Sequence, residues 1–324
     1  MGEKFFPREE ENRLMKKIFI DGKAGTTGLR IYDRLSNRED IELILLSEED
    51  RKDTEARRRA LNQADVAFLC LPDPAAIEAV SLVENPNTVI IDTSTAHRTN
   101  EGWSYGFPEL SPAHEAAVKA SRRIAVPGCH AGGFIALVYP LIEAGLLPSS
   151  ALLTCHSLTG YSGGGKKMIA DYEDESRSEL LDAPRQYGLT QQHKHLKEMK
   201  AVTGLESFPL FCPIVGDFYS GMQVTVPLFA SQLTEGTTVE TIKEVYRGKY
   251  QGPVVTYTES ADRDGFLETA RLSGMDSMLI TVCGNDERIL LTALYDNLGK
   301  GASGAALECL NLVLGHEKDF GLSV

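Results

Sequence analysis

Short apolar runs alternate with stretches of helical spacing through the first half of the chain. Lys17-Ile18-Phe19-Ile20-Asp21 reads as a strand and runs straight into Gly22-Lys23-Ala24-Gly25-Thr26-Thr27-Gly28. Leu29 through Leu35 then carries helical spacing, and Ile41 through Leu46 reads as a second strand. Strand, glycine loop, helix and parallel strand within about thirty residues make a βαβ unit of the dinucleotide-binding kind. The alternation goes on. Asp65–Leu71 is a buried strand closed by Pro72-Asp73-Pro74, and Pro74 opens a helix through Val80 and Leu82. Thr88–Asp92 is the next strand. Arg123–Val126 follows, stops at Pro127-Gly128, and gives way just after Cys129 to the apolar-periodic segment Phe134–Ile142, read as a helix.

The pattern changes from about residue 149. Ala151–Ser157 reads as a strand, and residues 171–200 are charged and aperiodic. Long β-like runs then cover Leu210–Val215, Met222–Ala230, Val254–Tyr257, Met278–Cys283 and Ile289–Tyr295, with one helix at Val239–Tyr250 and a hairpin turn at Asn285-Asp286. Strands with few helices between them describe a mixed or antiparallel sheet in an α+β unit. The chain ends on a helix, Ala305–Leu314. The expected fold is an α/β Rossmann-type domain followed by an α+β domain with a mixed sheet.

Composition narrows the function. Of 324 residues, 42% are hydrophobic and 24% charged, ordinary for a globular protein. A formal net charge of −13 argues against nucleic acid and against an anionic membrane surface as partners. No apolar run is long enough to span a bilayer, and no apolar signal core stands at the N-terminus, so the expected location is cytoplasmic. Residues 1–15 are charged and aperiodic, and are read as a poorly ordered extension. The six cysteines are scattered and form no CxxC pair, so neither a disulfide framework nor a metal site is expected.

Candidate chemistry gathers at strand C-terminal ends, the edge where ligands of open α/β sheets bind. Cys129 has two readings, a buried structural cysteine or a nucleophile. Pro127-Gly128 before it and Gly132-Gly133 after it favour the second, because they clear side chains from around the sulfur. At a helix N-terminus, unpaired N–H groups and the helix dipole favour a thiolate and can receive an oxyanion. Gly22, Ala24, Gly25, Thr26, Thr27 and Gly28 let backbone approach a pyrophosphate. Beyond the second strand, Ser47, Arg51 and Lys52 suit the 2′-phosphate of NADP, whereas Glu48 in the same stretch pulls toward NAD. The basic run Arg57-Arg58-Arg59 reads as more of this site or as a solvated helix face. Ser94 is a cofactor neighbour, and Arg98 is either a ligand for a substrate anion or a surface-loop arginine. Gly301 and Ala302 allow close approach of a ligand or of another helix.

Taken together, seven stretches resemble the N-acetyl-γ-glutamyl-phosphate reductase family in its shorter form. They are Asp21–Gly28, Ser94–Arg98, Tyr105–Leu110, Pro127-Gly128-Cys129, Gly160–Lys167 with His193-Lys194-His195, and Gly299–Gly304. The aspartate-semialdehyde dehydrogenases share the architecture but match these stretches less well. The resemblance implies a semialdehyde-dehydrogenase-like fold, with an NADP-binding domain over 16–128 plus 300–324 and a catalytic and dimerisation domain over 129–299. It also implies NADPH-dependent reduction of an acyl phosphate to an aldehyde through a thioester on Cys129. His195, second in the His-x-His pattern, is the implied acid–base, with His193, His130 and His156 behind it. Gly160, Ser162, Lys166, Lys167 and Arg98 are the implied substrate ligands, and a homodimer or homotetramer the implied assembly. One departure stands out: after the cysteine the family commonly has Tyr-Pro-Thr, and this chain has His130-Ala131-Gly132. The competing readings are a relative acting on aspartyl or carrier-bound aminoadipyl phosphate, a silent dinucleotide-sensing protein, and a cysteine hydrolase without cofactor.

Overall fold

A computed structural model describes residues 15–324. The extension expected over residues 1–15 lies, apart from Met15, outside the described residues. In chain order the first layer holds β1 (Lys16–Asp21), α1 (Thr26–Leu35), β2 (Ile41–Ile44), α2 (Thr54–Gln63), β3 (Val66–Leu69), α3 (Asp73–Ser81) and β4 (Val89–Asp92). It continues with β5 (Ser104–Tyr105), α4 (Pro112–Ala120) and β6 (Arg123–Ala125). These strands form a six-stranded parallel sheet in the order β2-β1-β3-β4-β6-β5. β3 and β4 are buried at every residue, as continuous apolar strands covered on both faces must be.

The second half holds α5 (Cys129–Glu143), β7 (Thr154–Gly160), α6 (Gly165–Glu173), β8 (Arg185–Gln186), α7 (His195–Thr203), β9 (Leu210–Gly216) and β10 (Met222–Phe229). Then come α8 (Val239–Lys249), β11 (Val255–Tyr257), β12 (Met278–Asn285), β13 (Arg288–Tyr295), a π-helical turn at Gly299–Ser303, and α9 (Gly304–Leu314). The sheet is mixed, in the order β11-β12-β13-β10-β7-β9-β8. β10 alternates buried and partly exposed residues, the signature of a sheet covered on one face. The β12–β13 hairpin closes where expected, with the Asn285 side-chain oxygen accepting the Glu287 and Arg288 N–H groups.

α5 is apolar nearly all round and is buried at almost every position, as a helix enclosed by other elements must be. Pro140 sits inside it without breaking it. Proline has no N–H for the Ala136 carbonyl, and the Tyr250 hydroxyl takes that carbonyl instead, at 2.7 Å. After crossing the second sheet the chain returns: α9 packs its apolar residues with those of β1, β3, β4 and β6.

The charged, aperiodic stretch 171–200 contains the end of α6, β8 and the first turns of α7, and two expectations need correction. The buried face of α7 is made of His195, Leu196, Glu198, Met199 and Thr203, so hydropathy alone registers no apolar stripe. β7 lies three residues later than Ala151–Ser157 because pairing with β9, not apolarity, sets its ends. Arg57 is not solvated. Its guanidinium is buried between the carboxylates of Asp21 (3.0 Å) and Glu78 (2.9 Å).

Candidate active site

Cys129 is the first residue of α5, and the helix cap Gly128 offers no side chain to its free N–H groups. A buried carboxylate holds the turn in place. Glu198 accepts the Gly128 N–H at 2.8 Å, the Tyr105 hydroxyl at 2.6 Å and Arg98 Nη1 at 2.9 Å. Arg98 in turn donates Nε to the Val126 carbonyl (2.8 Å) and Nη2 to that of Thr93 (3.0 Å). Arg98 is therefore a strut between strand ends, neither a surface-loop arginine nor a cation left free for a substrate anion, although its edge reaches the cavity.

Gly128 is crowded as well as exposed to function. A Cβ there would lie 2.4 Å from Arg98 Nη1 and 2.5 Å from His195 Nε2, so only glycine lets these two nitrogens flank the turn. Cys129 and His195 thus line one cavity of about 320 Å³. Burial pushes the Cys129 thiol up, although the Arg98 charge and the His130 N–H pull the other way. Burial, then the charge of Arg98, holds His195 well below the ordinary imidazole value. Burial thus favours a thiol beside a neutral imidazole, against the pull of the helix N-terminus toward a thiolate. The His195 Nδ1 is buried without a hydrogen-bond partner among the described residues.

The other histidines divide sharply. His193 is half-buried and accepts the His195 N–H on Nδ1 at 3.2 Å. His130 is buried, with Nδ1 2.7 Å from Ser157 Oγ and Nε2 2.6 Å from the Tyr187 hydroxyl. His156 is exposed on the opposite face of β7 from the buried Cys155 and Ser157, and takes no part.

On the cofactor side two further cavities continue the trough. One of about 680 Å³ is lined by Gly22, Ala24, Gly25, Arg51 and Lys52. The next, about 460 Å³, is lined by Gly25, Thr26, Thr27, Ser94 and Ser162. Thr27 also lines the cavity holding Cys129, so the three connect end to end. A Cβ on Gly28 would stand 2.5 Å from the Gly22 carbonyl, and this close approach brings the uncapped first turn of α1 to the trough. Free N–H groups and a helix dipole there fit a pyrophosphate. Ser94 is buried at the rim with its hydroxyl on Asp92 (2.7 Å). Ser47 does not line the cavity: its hydroxyl closes a turn with Asp50. Arg51 reaches the cavity while paired with Glu48 at 2.9 Å.

Gly301 and Ala302 line the catalytic cavity, and a Cβ on Gly301 would lie 3.1 Å from that of Cys129. Gly160 lines it too, and Ser162 is buried, held by Asn297 Nδ2 at 3.0 Å. Lys166 and Lys167 stand exposed on α6 outside the lining, because the turn from Gly163 to Gly165 faces backbone to the cavity and sends these side chains outward. Besides the paired Arg98, the cation that lines it is Lys194, which sequence reasoning passed over and which forms no ion pair among the described residues. Glu198 was also missed, though its place three residues after His195 on one helix puts both on the same face. Tyr187 had no sequence signal. Among the described residues no group of three His, Cys, Asp or Glu side chains is placed to hold a metal.

Comparison with known proteins gives this geometry a context. Residues 17–118 match the model of the semialdehyde dehydrogenase NAD binding domain, and 129–297 that of the semialdehyde dehydrogenase dimerisation domain. N-acetyl-gamma-glutamyl-phosphate reductase 2 of Nostoc sp. is 46% identical over 318 residues, covering 94% of this chain and 99% of its own. The N-acetyl-gamma-glutamyl-phosphate reductase of Chelativorans sp. is 47% identical over 307 residues, covering 92% and 98%. The chain belongs to the N-acetyl-γ-glutamyl-phosphate reductase family. Solved aspartate semialdehyde dehydrogenases share the fold of this reductase family member at low identity. That of Vibrio cholerae aligns at TM-score 0.71 and 17% identity over 93% of this chain and 98% of its own. That of Candida albicans aligns at 0.64 and 17% over 94% and 99%. Among the described residues of this reductase-family chain, no helix is long and apolar enough to cross a membrane.

Proposed function

We propose that this chain reduces N-acetyl-γ-glutamyl phosphate to N-acetylglutamate 5-semialdehyde and phosphate with NADPH, a step of arginine biosynthesis. One observation carries the reading: Cys129 and His195 face one cavity across Gly128, at the end of a trough that begins at the glycine loop. Gly22, Gly25 and the first turn of α1 would hold the pyrophosphate. Arg51 and Lys52 would meet the 2′-phosphate, with Glu48 giving up Arg51 as it binds. Gly301 and Ala302 would face the nicotinamide beside Cys129.

His195 Nε2 takes the thiol proton as the sulfur approaches the acyl carbon. A C–S bond forms, the oxyanion is received at the uncapped start of α5, and the C–O bond to phosphate breaks with its electron pair on phosphate. Lys194 is the cation placed to meet that phosphate. The chemistry the dinucleotide supplies when bound is a hydride for the thioester carbon. Collapse of the thiohemiacetal then re-forms the carbonyl, breaks C–S, and returns the proton from His195 to sulfur.

The reading also divides the chain into a cofactor unit, 16–128 with 300–324, and a catalytic unit, 129–299. The outer face of the mixed sheet, with Leu210, Phe229 and Leu290 exposed, would be the subunit interface of a homodimer or of a dimer of dimers. The test runs in reverse: semialdehyde, phosphate and NADP+ are mixed and reduced nicotinamide is followed by absorbance. Phosphate-dependent reduction with N-acetylglutamate semialdehyde, and little with aspartate semialdehyde, is expected. The opposite preference would overturn the substrate, and turnover without phosphate would overturn the acyl-phosphate chemistry.

A further inference from the structure

His130, the departure directly after the nucleophile, is absorbed by no step above. It lies in a line of three side chains, Ser157 Oγ to Nδ1 at 2.7 Å and Nε2 to the Tyr187 hydroxyl at 2.6 Å. Tyr187 lines the same cavity as Cys129 and His195, and its backbone N–H is anchored on the Pro213 carbonyl at 3.0 Å. Burial keeps His130 neutral, pushed down to about 3, so one ring nitrogen carries hydrogen and the other accepts.

Counting hydrogens decides which. Ser157 is fully buried, and His130 is its only side-chain partner among the described residues. With hydrogen on Nδ1, Ser157 would accept and its own O–H would be stranded in the core without an acceptor. A buried hydroxyl hydrogen left without an acceptor is destabilising, because its lost bond to water is not replaced. With hydrogen on Nε2, Ser157 donates to Nδ1, Nε2–H donates to the Tyr187 oxygen, and nothing in the core is stranded. The Tyr187 O–H is then the one hydrogen of the line without a protein acceptor among the described residues, and both Tyr187 and the His130 it meets line the cavity.

We propose that Tyr187 donates its hydroxyl hydrogen to the acyl oxygen of the substrate held on Cys129, and that Ser157 and His130 are positioning residues that keep it pointed there. The proposal rests on the acyl-transfer reading above. A single well-aimed donor to a developing oxyanion is worth about 10²–10³-fold in kcat. The loss is of kcat rather than of cofactor binding, because Tyr187 lies on the Cys129 side of the trough.

The experiment uses the full-length enzyme, after the wild type has been seen to turn over its semialdehyde; failure of that first step sinks the reaction assignment and not the tyrosine. Tyr187→Phe should then lower kcat by about 10²-fold, leaving NADP+ affinity and the rate of Cys129 alkylation within twofold. Ser157→Ala, at a residue that does not itself line the cavity, should also lower kcat by freeing His130 to take the other tautomer. Nitrogen-15 NMR of the His130 ring should place hydrogen on Nε2 in the wild type. Retention of kcat within threefold in Tyr187→Phe, or hydrogen on Nδ1, overturns the proposal. If Tyr187→Phe does not fold, the ring spectrum and Ser157→Ala settle it.

Discussion

At Cys129 two opposing effects act on one sulfur, and burial wins over the helix N-terminus. On the proposed acyl-transfer reading the thiol and His195 rest neutral, and a proton passes between them as substrate arrives. Two consequences can be measured. The rate of Cys129 alkylation by iodoacetamide should keep rising with pH above the ordinary thiol value of about 8.5, with no plateau near neutrality; a plateau below pH 7 would mean a standing thiolate. Cys129→Ser should bind NADPH as the wild type does, by calorimetry, and lose turnover. His195→Asn should lower the rate by about 10²–10⁴-fold, and a loss below tenfold would move the acid–base role elsewhere. Glu198 belongs at this scale too. Its charge raises the Cys129 thiol, so Glu198→Gln should shift the alkylation profile to lower pH. It also removes the charge that pairs Arg98, leaving that buried guanidinium only the Val126 and Thr93 carbonyls, at about 3–5 kcal/mol. Tm should fall in the same variant.

Elements carry these residues because their backbone needs are met from outside themselves. α5 holds Pro140 in its interior only because Tyr250, on the residue after α8, supplies the missing donor to Ala136. Tyr250→Phe should therefore cost about 1–3 kcal/mol in urea denaturation. The same change at Tyr139, whose hydroxyl is exposed and bonded to Glu143, should cost little. Equal costs at the two sites would refute this account of the proline. α7 shows the complementary case: two of its buried positions are His195 and Glu198, and their partners come from other elements. Apolar periodicity located α5 and α9 from their residues alone. It missed α7, whose inward face is half polar.

Across the whole molecule, one buried cluster ties the returning C-terminal segment to the first layer. Lys300 of the π-helical turn pairs with Glu109 (2.8 Å) and with Glu308 of α9. Glu109 Oε1 and Glu308 Oε1 are buried without a hydrogen-bond partner among the described residues, the former 3.6 Å from Lys318 Nζ, and a proton shared between the two carboxyls would satisfy both. Burial and the charge of Glu109 push Glu308 up, whereas at Glu109 burial is outweighed by the Lys300 charge, the hydrogen bond to Glu308 and the Lys318 charge together, which bring it down. A group raised on folding contributes stability below its unfolded value, about 4.3 for glutamate. It loses that contribution as pH climbs through its folded value. Glu308→Gln should therefore hold Tm at neutral pH and flatten its decline on the alkaline side. Glu109→Gln leaves Lys300 without its ionised partner and should cost about 3–5 kcal/mol. Melting curves of both variants across pH check the assignment, and an inverted order would reverse it.

The amino-acid sequence by itself determined the parallel layer, the glycine loop, the cysteine at a strand-to-helix turn and the mostly β second half. Each rests on local periodicity or on glycine and proline next to a reactive residue, and such signals are complete within a few positions. Only the tertiary structure decided what the charged and polar residues do. Arg57 and Arg98 are struts, Lys166 and Lys167 point outward while Lys194 lines the cavity, and Ser47 closes its own turn. Burial and pairing depend on elements far apart in the chain, as where Gly128 meets Glu198. The same holds at the sulfur: its place at the start of a helix is local, but its protonation depends on how deeply two sheets and their loops enclose it.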